Sequence, residues 1–316
     1  MCLYLLLHLF VNIISQLNKM RSICGLEQQL NPNFDNDIVD LRIVEYGFNY
    51  FFPLFQQSKF GISHRIDPHE FLNFFLGRIC GDIGEHSYPV FGYGIEYIRQ
   101  CNTCKFEKKE NDDTAGDSYN QILNVPLPYA SENIKSFQLK KLFKDMFKEN
   151  TIEDYTCQSC KQNGLTMTQR QQFTRLPEVM VLSIQRKIPD SNEVDRRPVV
   201  ISKTLEIGRK DYHLRSIVYH EGSDEKVNGH HSCHCLMKCK PANQRRGSAL
   251  QFWQWFYFDD GAPNPITADK AINSPVVKKG CVLMFYQKNL YNVVDDQNFE
   301  TRWKSSRSLR YKRHVS

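Results

Sequence analysis

Apolar positions recur at helical spacing in the first part of this chain and at strand spacing afterwards, with the change near residue 90. Residues 3–18 form one candidate amphipathic helix, and residues 41–57, rich in aromatics, form a second. The clearest helix starts at Asp67, which can cap it, with Pro68 at the first helical position. Phe71, Phe74, Phe75 and Ile79 then follow at the spacing of one helical face. From there the pattern shortens. Ile95–Ile98 and Ile122–Leu127 read as strands, and the charged, Gly-containing stretch Lys108–Ser118 between them reads as an exposed loop. Residues 136–148 return to helical spacing through Leu139, Leu142, Phe143 and Phe147. Five further strands follow: Val179–Ile184, Leu214–His220, His231–Lys238, Trp253–Phe258 and Val282–Tyr286. Helices first and strands later predict an α+β fold and argue against a doubly wound sheet.

Composition adds little to this picture except at the ends. The chain has 316 residues, 41% hydrophobic and 24% charged, with Phe 21 and Tyr 15, enough for a sizeable core. Its net charge of +6 is concentrated in the last fifteen residues, where Arg302, Lys304, Arg307, Arg310, Lys312 and Arg313 stand without an acid. The remaining 35 basic and 35 acidic residues cancel, so the body is neutral. The tail reads as a solvated end or as a partner-binding segment. It carries no aromatic-rich or base-reading pattern, so nucleic acid is not an expected partner. Met1–Ile14 is apolar but lacks a positive leader and a small-residue cleavage site, and His8 and Asn12 interrupt it. The chain is therefore expected to be soluble, without a membrane partner, and cytoplasmic or nuclear.

The 11 cysteines are an odd set spread along a long chain, which is not a disulfide framework. Four of them form two C-x-x-C pairs, Cys101 with Cys104 and Cys157 with Cys160, separated by 52 residues. Such spacing lets both thiolates of a pair reach one ion, and two pairs complete a closed tetrahedral site suited to structural Zn2+. The alternative is four unrelated buried cysteines. Further on, Asn228-Gly229-His230-His231-Ser232-Cys233-His234 precedes Trp255-Phe256-Tyr257-Phe258-Asp259-Asp260. A thiol protease needs an imidazole to take the thiol proton and a third group to fix its tautomer. A histidine opening one strand and an acid ending its neighbour can meet across an antiparallel pair. Two alternatives stay open. His230, His231, Cys233, His234, Cys235 and Cys239 could form a second metal site, and Asp259-Asp260-Gly261 could be a plain turn.

Together, from about residue 60 to residue 288, these boxes resemble the ubiquitin-specific protease family of papain-like cysteine proteases. Ile66-Asp67-Pro68-His69-Glu70-Phe71-Leu72 is similar to its Gln-Asp-Ala-His-Glu-Phe helix start, and the C-x-x-C pairs to its zinc-binding fingers. Arg175-Leu176-Pro177 through Arg186, Tyr212–Gly222, Gly229-His230-His231, Trp255–Asp260 and Val282–Tyr286 resemble its later boxes in order. A weaker likeness of Ile38–Ile43 and Asp67–Asn73 points to the cylindromatosis-type subfamily. The resemblance implies a palm, thumb and fingers architecture with a zinc-ribbon finger. It implies a single catalytic-type domain over residues 1–298, the thumb over about 1–90, fingers and palm over about 91–298, the zinc finger within 95–165, and a basic tail over 299–316. It further implies ubiquitin or ubiquitin-conjugated proteins as partners and hydrolysis of (iso)peptide bonds at the C-terminal glycine of ubiquitin. His230 would be the general base, Asp259 its orienting acid and Asp260 a helper.

The chain departs from the family at its cysteine box. The Gly-Asn-Thr segment that precedes the family's nucleophile has no counterpart here, and one oxyanion donor lost costs about 10²–10³ in rate. Cys2 is the candidate nucleophile, followed by a Leu6–Asn12 stretch that resembles the family's helix with a one-residue slip. Ile66 replaces a polar glutamine, and His231 a tyrosine. Three readings follow: an active deubiquitinase with a shortened box, a catalytically inactive ubiquitin-binding pseudoenzyme, and a chain whose true start lies upstream.

Overall fold

A computed structural model describes residues 68–83, 91–111, 121–128, 134–191, 193–222, 230–239, 252–259 and 263–288. The helices expected at 3–18 and 41–57, the Asp67 cap, Cys2 and Asp260 lie outside the described residues. Helix α1 (Pro68–Ile83) begins at the proline, as its sequence requires. Among its described side chains Pro68, Phe71, Leu72 and Leu76 are buried and Phe74 is half-buried, so the two leucines share the inward face with the aromatics.

The body is a mixed α+β fold dominated by sheet. The larger sheet is built from β3 (Ile122–Pro126), β7 (Val179–Gln185), β9 (Thr204–Ile207), β10 (Lys210–Glu221), β11 (His230–Cys239), β12 (Phe252–Phe258), β13 (Asn264–Ile266) and β14 (Cys281–Lys288). Its order is β13-β12-β11-β10-β14-β7-β3, with β9 paired to the start of β10. Every pairing is antiparallel except β3 with β7. β9 and β10 are joined by Gly208-Arg209, both at positive φ (53° and 63°), the two-residue turn whose twist matches a hairpin.

Strand β7 shows why the sequence reads as it does. Its run of apolar residues is continuous because both faces of the sheet are covered. Met180, Leu182 and Ile184 pack on the side of α2 (Leu139–Met146), α3 (Ala268–Asn273) and α4 (Pro275–Gly280), among Leu139, Phe143, Ile272 and Val277. Val181 packs on the other side with Phe71, Leu72 and Leu76 of α1. At the end of α4, a Cβ on Gly280 would meet the His220 carbonyl oxygen at 2.3 Å, so only glycine allows the helix to close on β10.

The second sheet has the order β2-β1-β6-β5, antiparallel throughout, from β1 (Gly94–Cys101), β2 (Glu107–Asn111), β5 (Asn150–Tyr155) and β6 (Leu165–Arg175). Here the structure corrects the sequence: Lys108–Asn111, expected in a loop, belongs to strand β2, which pairs with β1. Its side chains are all polar, so no apolar alternation marks it. Cross-strand charge pairs, such as Arg99 with Glu110, hold it instead. Phe173 of β6 reaches into an aromatic group with Phe143 and Phe147, its ring 4.6 Å from Phe147, and so ties the small sheet to α2. A short parallel pair, β4 (Phe137–Gln138) with β8 (Val199–Val200), completes the described elements.

Arg186, just past β7, is buried and uses every N–H of its guanidinium. Nε donates to the Cys281 carbonyl (2.7 Å), Nη1 to those of Asp195 and Arg197 (2.8 and 3.1 Å), and Nη2 to Lys278 O (2.8 Å) and Cys281 Sγ (3.3 Å). One side chain thus staples the 187–197 segment and the α4–β14 junction to the central strand. Arg186→Ala will leave four carbonyls, two of them in buried hydrogen bonds, without this partner and is expected to cost about 3–4 kcal/mol, read as a lower urea midpoint at unchanged m-value. Arg186→Lys will not restore it, because an ammonium has three donors and no fork.

Candidate active site and metal centre

The two C-x-x-C pairs meet at the far end of the small sheet. Cys101 closes β1, and Cys157 follows β5 by two residues. Both pairs form the same tight turn. Lys105 N–H returns to Cys101 O (3.0 Å) with Lys105 at φ 60°, and Lys161 N–H returns to Cys157 O (2.9 Å) with Lys161 at φ 59°. The backbone amides inside each turn point at the sulfurs. The N–H of Cys160, foremost among several donors, draws the Cys157 thiol down to about 6, and the N–H of Cys104 lowers Cys101. The four ligand atoms all lie within 4.8 Å of one another, with Cys104 Sγ 3.6 Å from Cys157 Sγ. The side chain of Asn102 links the Cys101–Cys104 turn to β6 through Thr166 (3.1 Å) and Thr168 (2.8 Å). This arrangement can hold a metal ion, and the reading of four unrelated cysteines is set aside.

His230 opens β11, and Asp259 follows the last residue of β12. The ladder sets Cys233 opposite Phe258, which brings the start of β11 to the end of β12. There His230 Nε2 hydrogen-bonds Asp259 Oδ1, while the Tyr257 hydroxyl donates to Oδ2 at 3.0 Å. The carboxylate therefore fixes the imidazole with its proton on Nε2 and leaves Nδ1 as the basic nitrogen. Both side chains stay accessible, at 43% and 41% exposure. A turn with no further role would not need this pairing.

Alternation settles the remaining histidines and cysteines. His230, Ser232 and His234 point to one face of β11, and His231, Cys233 and Cys235 to the other. Among the described residues, the group close enough to share a metal is the four-cysteine cluster, so the alternative of a second site gains no support from His230, His231, Cys233, His234 and Cys235, while the side chain of Cys239 lies outside the described residues. His234 is buried between the Tyr219 hydroxyl (3.1 Å at Nε2) and the Ala271 carbonyl (2.8 Å at Nδ1). Burial lowers it to about 4, so it is a neutral core group. His231 stacks edge-on with His220 (ring centroids 4.9 Å), whose Nδ1 meets Arg196 at 2.7 Å. The sequence reading did not single out Tyr257, Tyr219 or His234 as partners. Counting by twos from Asp259 and His230 along their strands finds Tyr257 and His234.

The model of the ubiquitin carboxyl-terminal hydrolase family matches residues 49–286, a span that includes His230, Asp259 and all four paired cysteines. No curated protein matches. Among solved structures, the fold is similar to a chain of the SAGA Ubp8/Sgf11/Sus1/Sgf73 DUB module bound to ubiquitin aldehyde. The TM-score is 0.58 at 19% identity, over 78% of this chain and 55% of that one. A variant of that module bound to monoubiquitin gives 0.57 and 20%, over 78% and 54%. The module without ubiquitin gives 0.54 and 19%, over 79% and 53%. The chain thus spans little more than half the length of the chains it matches. With three-quarters of its residues inside the family match and the fold in agreement, the chain belongs to the ubiquitin carboxyl-terminal hydrolase family.

Proposed function

We propose that this chain is a deubiquitinase-type cysteine protease that hydrolyses the (iso)peptide bond at the C-terminal glycine of ubiquitin, with ubiquitin or ubiquitin-conjugated proteins as its partners. The observation that carries the reading is the His230–Asp259 pair at the open end of β11 and β12, within the family-matched span. A thiol brought to Nδ1 of His230 gives up its proton there, and Asp259 stabilises the imidazolium that forms. The thiolate adds to the glycine carbonyl carbon. His230 then protonates the departing amine, which leaves a thioester. Water, deprotonated by the same nitrogen, cleaves the thioester, frees the ubiquitin carboxylate and restores the thiol. Cys2 is the thiol proposed for this role. Asp260, next in sequence to Asp259, is proposed as a helper.

Zinc is the metal proposed for Cys101, Cys104, Cys157 and Cys160. A tetrahedral ion with Zn–S bonds near 2.3 Å sets its sulfurs about 3.8 Å apart. The observed 3.6 Å between Cys104 and Cys157 suits that cage. Four thiolates leave no open position, so the ion supplies structure and not catalysis.

The test is reaction of the purified chain with ubiquitin bearing a thiol-reactive C-terminal group, followed by mass mapping. An adduct on Cys2 is expected. Ubiquitin bound without an adduct would overturn the enzyme reading in favour of a ubiquitin-binding pseudoenzyme.

A further inference from the structure

Asp259 stands one residue beyond β12, where the ladder no longer holds the backbone and the side chain is 41% exposed. How such a carboxylate turns about its side-chain bonds depends on the partners of its second oxygen as well as on the histidine. The structure supplies such a partner. Tyr257 lies two residues back on the same face of β12, and its hydroxyl takes Oδ2 at 3.0 Å, leaving Oδ1 for His230. Its own ring is held in turn. It meets the His234 ring edge-on, with centroids 5.7 Å apart and planes at 69°. His234 is locked at both nitrogens, by Tyr219 and by the Ala271 carbonyl at the start of the last turn of α3. The packed sheet interior is thereby connected, contact by contact, to an exposed carboxylate.

We propose that Tyr257 is a positioning residue for the hydrolytic site: its hydroxyl turns Asp259 so that Oδ1 faces His230 and Nδ1 faces the reacting thiol. This inference rests on the functional reading given above. The phenol suits the task, because burial raises its pKa, and the Asp259 carboxylate raises it further, so it remains a donor at neutral pH. It does not touch the ring nitrogen that moves protons, so it acts through Asp259.

The experiment compares the whole chain with its Tyr257→Phe and His230→Ala variants. Phenylalanine keeps the ring against His234 and deletes only the hydroxyl. With a fluorogenic ubiquitin C-terminal amide as substrate, kcat of Tyr257→Phe is expected to fall roughly tenfold, near the lower end of what a hydrogen bond to a charged group is worth. KM and the melting temperature should stay unchanged. A second readout does not depend on turnover. The His230 Nε2 proton, held by Asp259, should give a slowly exchanging downfield NMR signal in the parent chain that is lost to solvent exchange in Tyr257→Phe. An unchanged kcat with an unchanged signal overturns the proposal. If His230→Ala retains full activity, the hydrolytic reading fails, and loss or persistence of the signal still supports or overturns the positioning role on its own.

Discussion

Alanine at position 230 will reduce kcat/KM on a ubiquitin C-terminal amide by about 10³–10⁴-fold, while ubiquitin affinity stays within a few-fold. The loss is large because the proposed mechanism uses His230 twice, to take the thiol proton before attack and to return it to the leaving amine. Its place on the ladder does not depend on its ring, which is exposed at the strand end and packs no core. The fold should therefore survive, with an unchanged melting temperature. Steady-state kinetics and a direct binding titration separate the two quantities. Activity equal to the parent would remove His230 from the mechanism, and a parallel loss of binding would make the effect one of recognition.

The second large effect is on the metal. The purified chain should carry one equivalent of zinc, and Cys157→Ser should lose it. The two turns belong to strands far apart in sequence, with Cys157 53 positions after Cys104. The small sheet beside them is mostly polar, so little apolar burial replaces the metal there. Structural zinc binds with about 10–16 kcal/mol of apparent free energy at neutral pH, and that energy becomes folding energy of the region it joins. Loss of zinc should therefore collapse the cooperative melting transition and expose β1, β5 and β6 to hydrogen exchange. Because ligation needs thiolates, release on acidification should follow protonation of the sulfurs. Metal analysis finding under a tenth of an equivalent would sink the proposal.

Where the fold was legible, one physical signal carried it. Strands covered on both faces, such as Val179–Gln185 and Cys281–Lys288, read as apolar runs because burial leaves no polar side. The paired cysteines were legible because metal geometry dictates spacing. Strands β2, β5 and β6 were not, because their side chains are largely polar and their stability comes from pairing and from the site at their tip. Helices α3 and α4 have six residues each, too few for periodicity, although Thr267 and Ser274 cap them and Pro275 opens α4. At the candidate site, the meeting of His230 and Asp259 was legible because one opens a strand and the other ends its antiparallel neighbour. The anchoring of Asp259 was legible only as far as Tyr257 and His234, which alternation places on the faces of Asp259 and His230; the hold on His234 by Tyr219 and the Ala271 carbonyl needs the folded sheet.

The strand order has a consequence for how the chain is made. β14 is the last described strand in sequence, yet it lies between β10 and β7. Until residue 288 has left the ribosome, the half of the sheet that carries His230 and Asp259 has no edge in common with the half built from β3 and β7. During synthesis both halves wait with an unpaired apolar margin, the kind of surface that invites association with other chains. The two halves of the described sheet therefore join late, when β14 enters between β10 and β7.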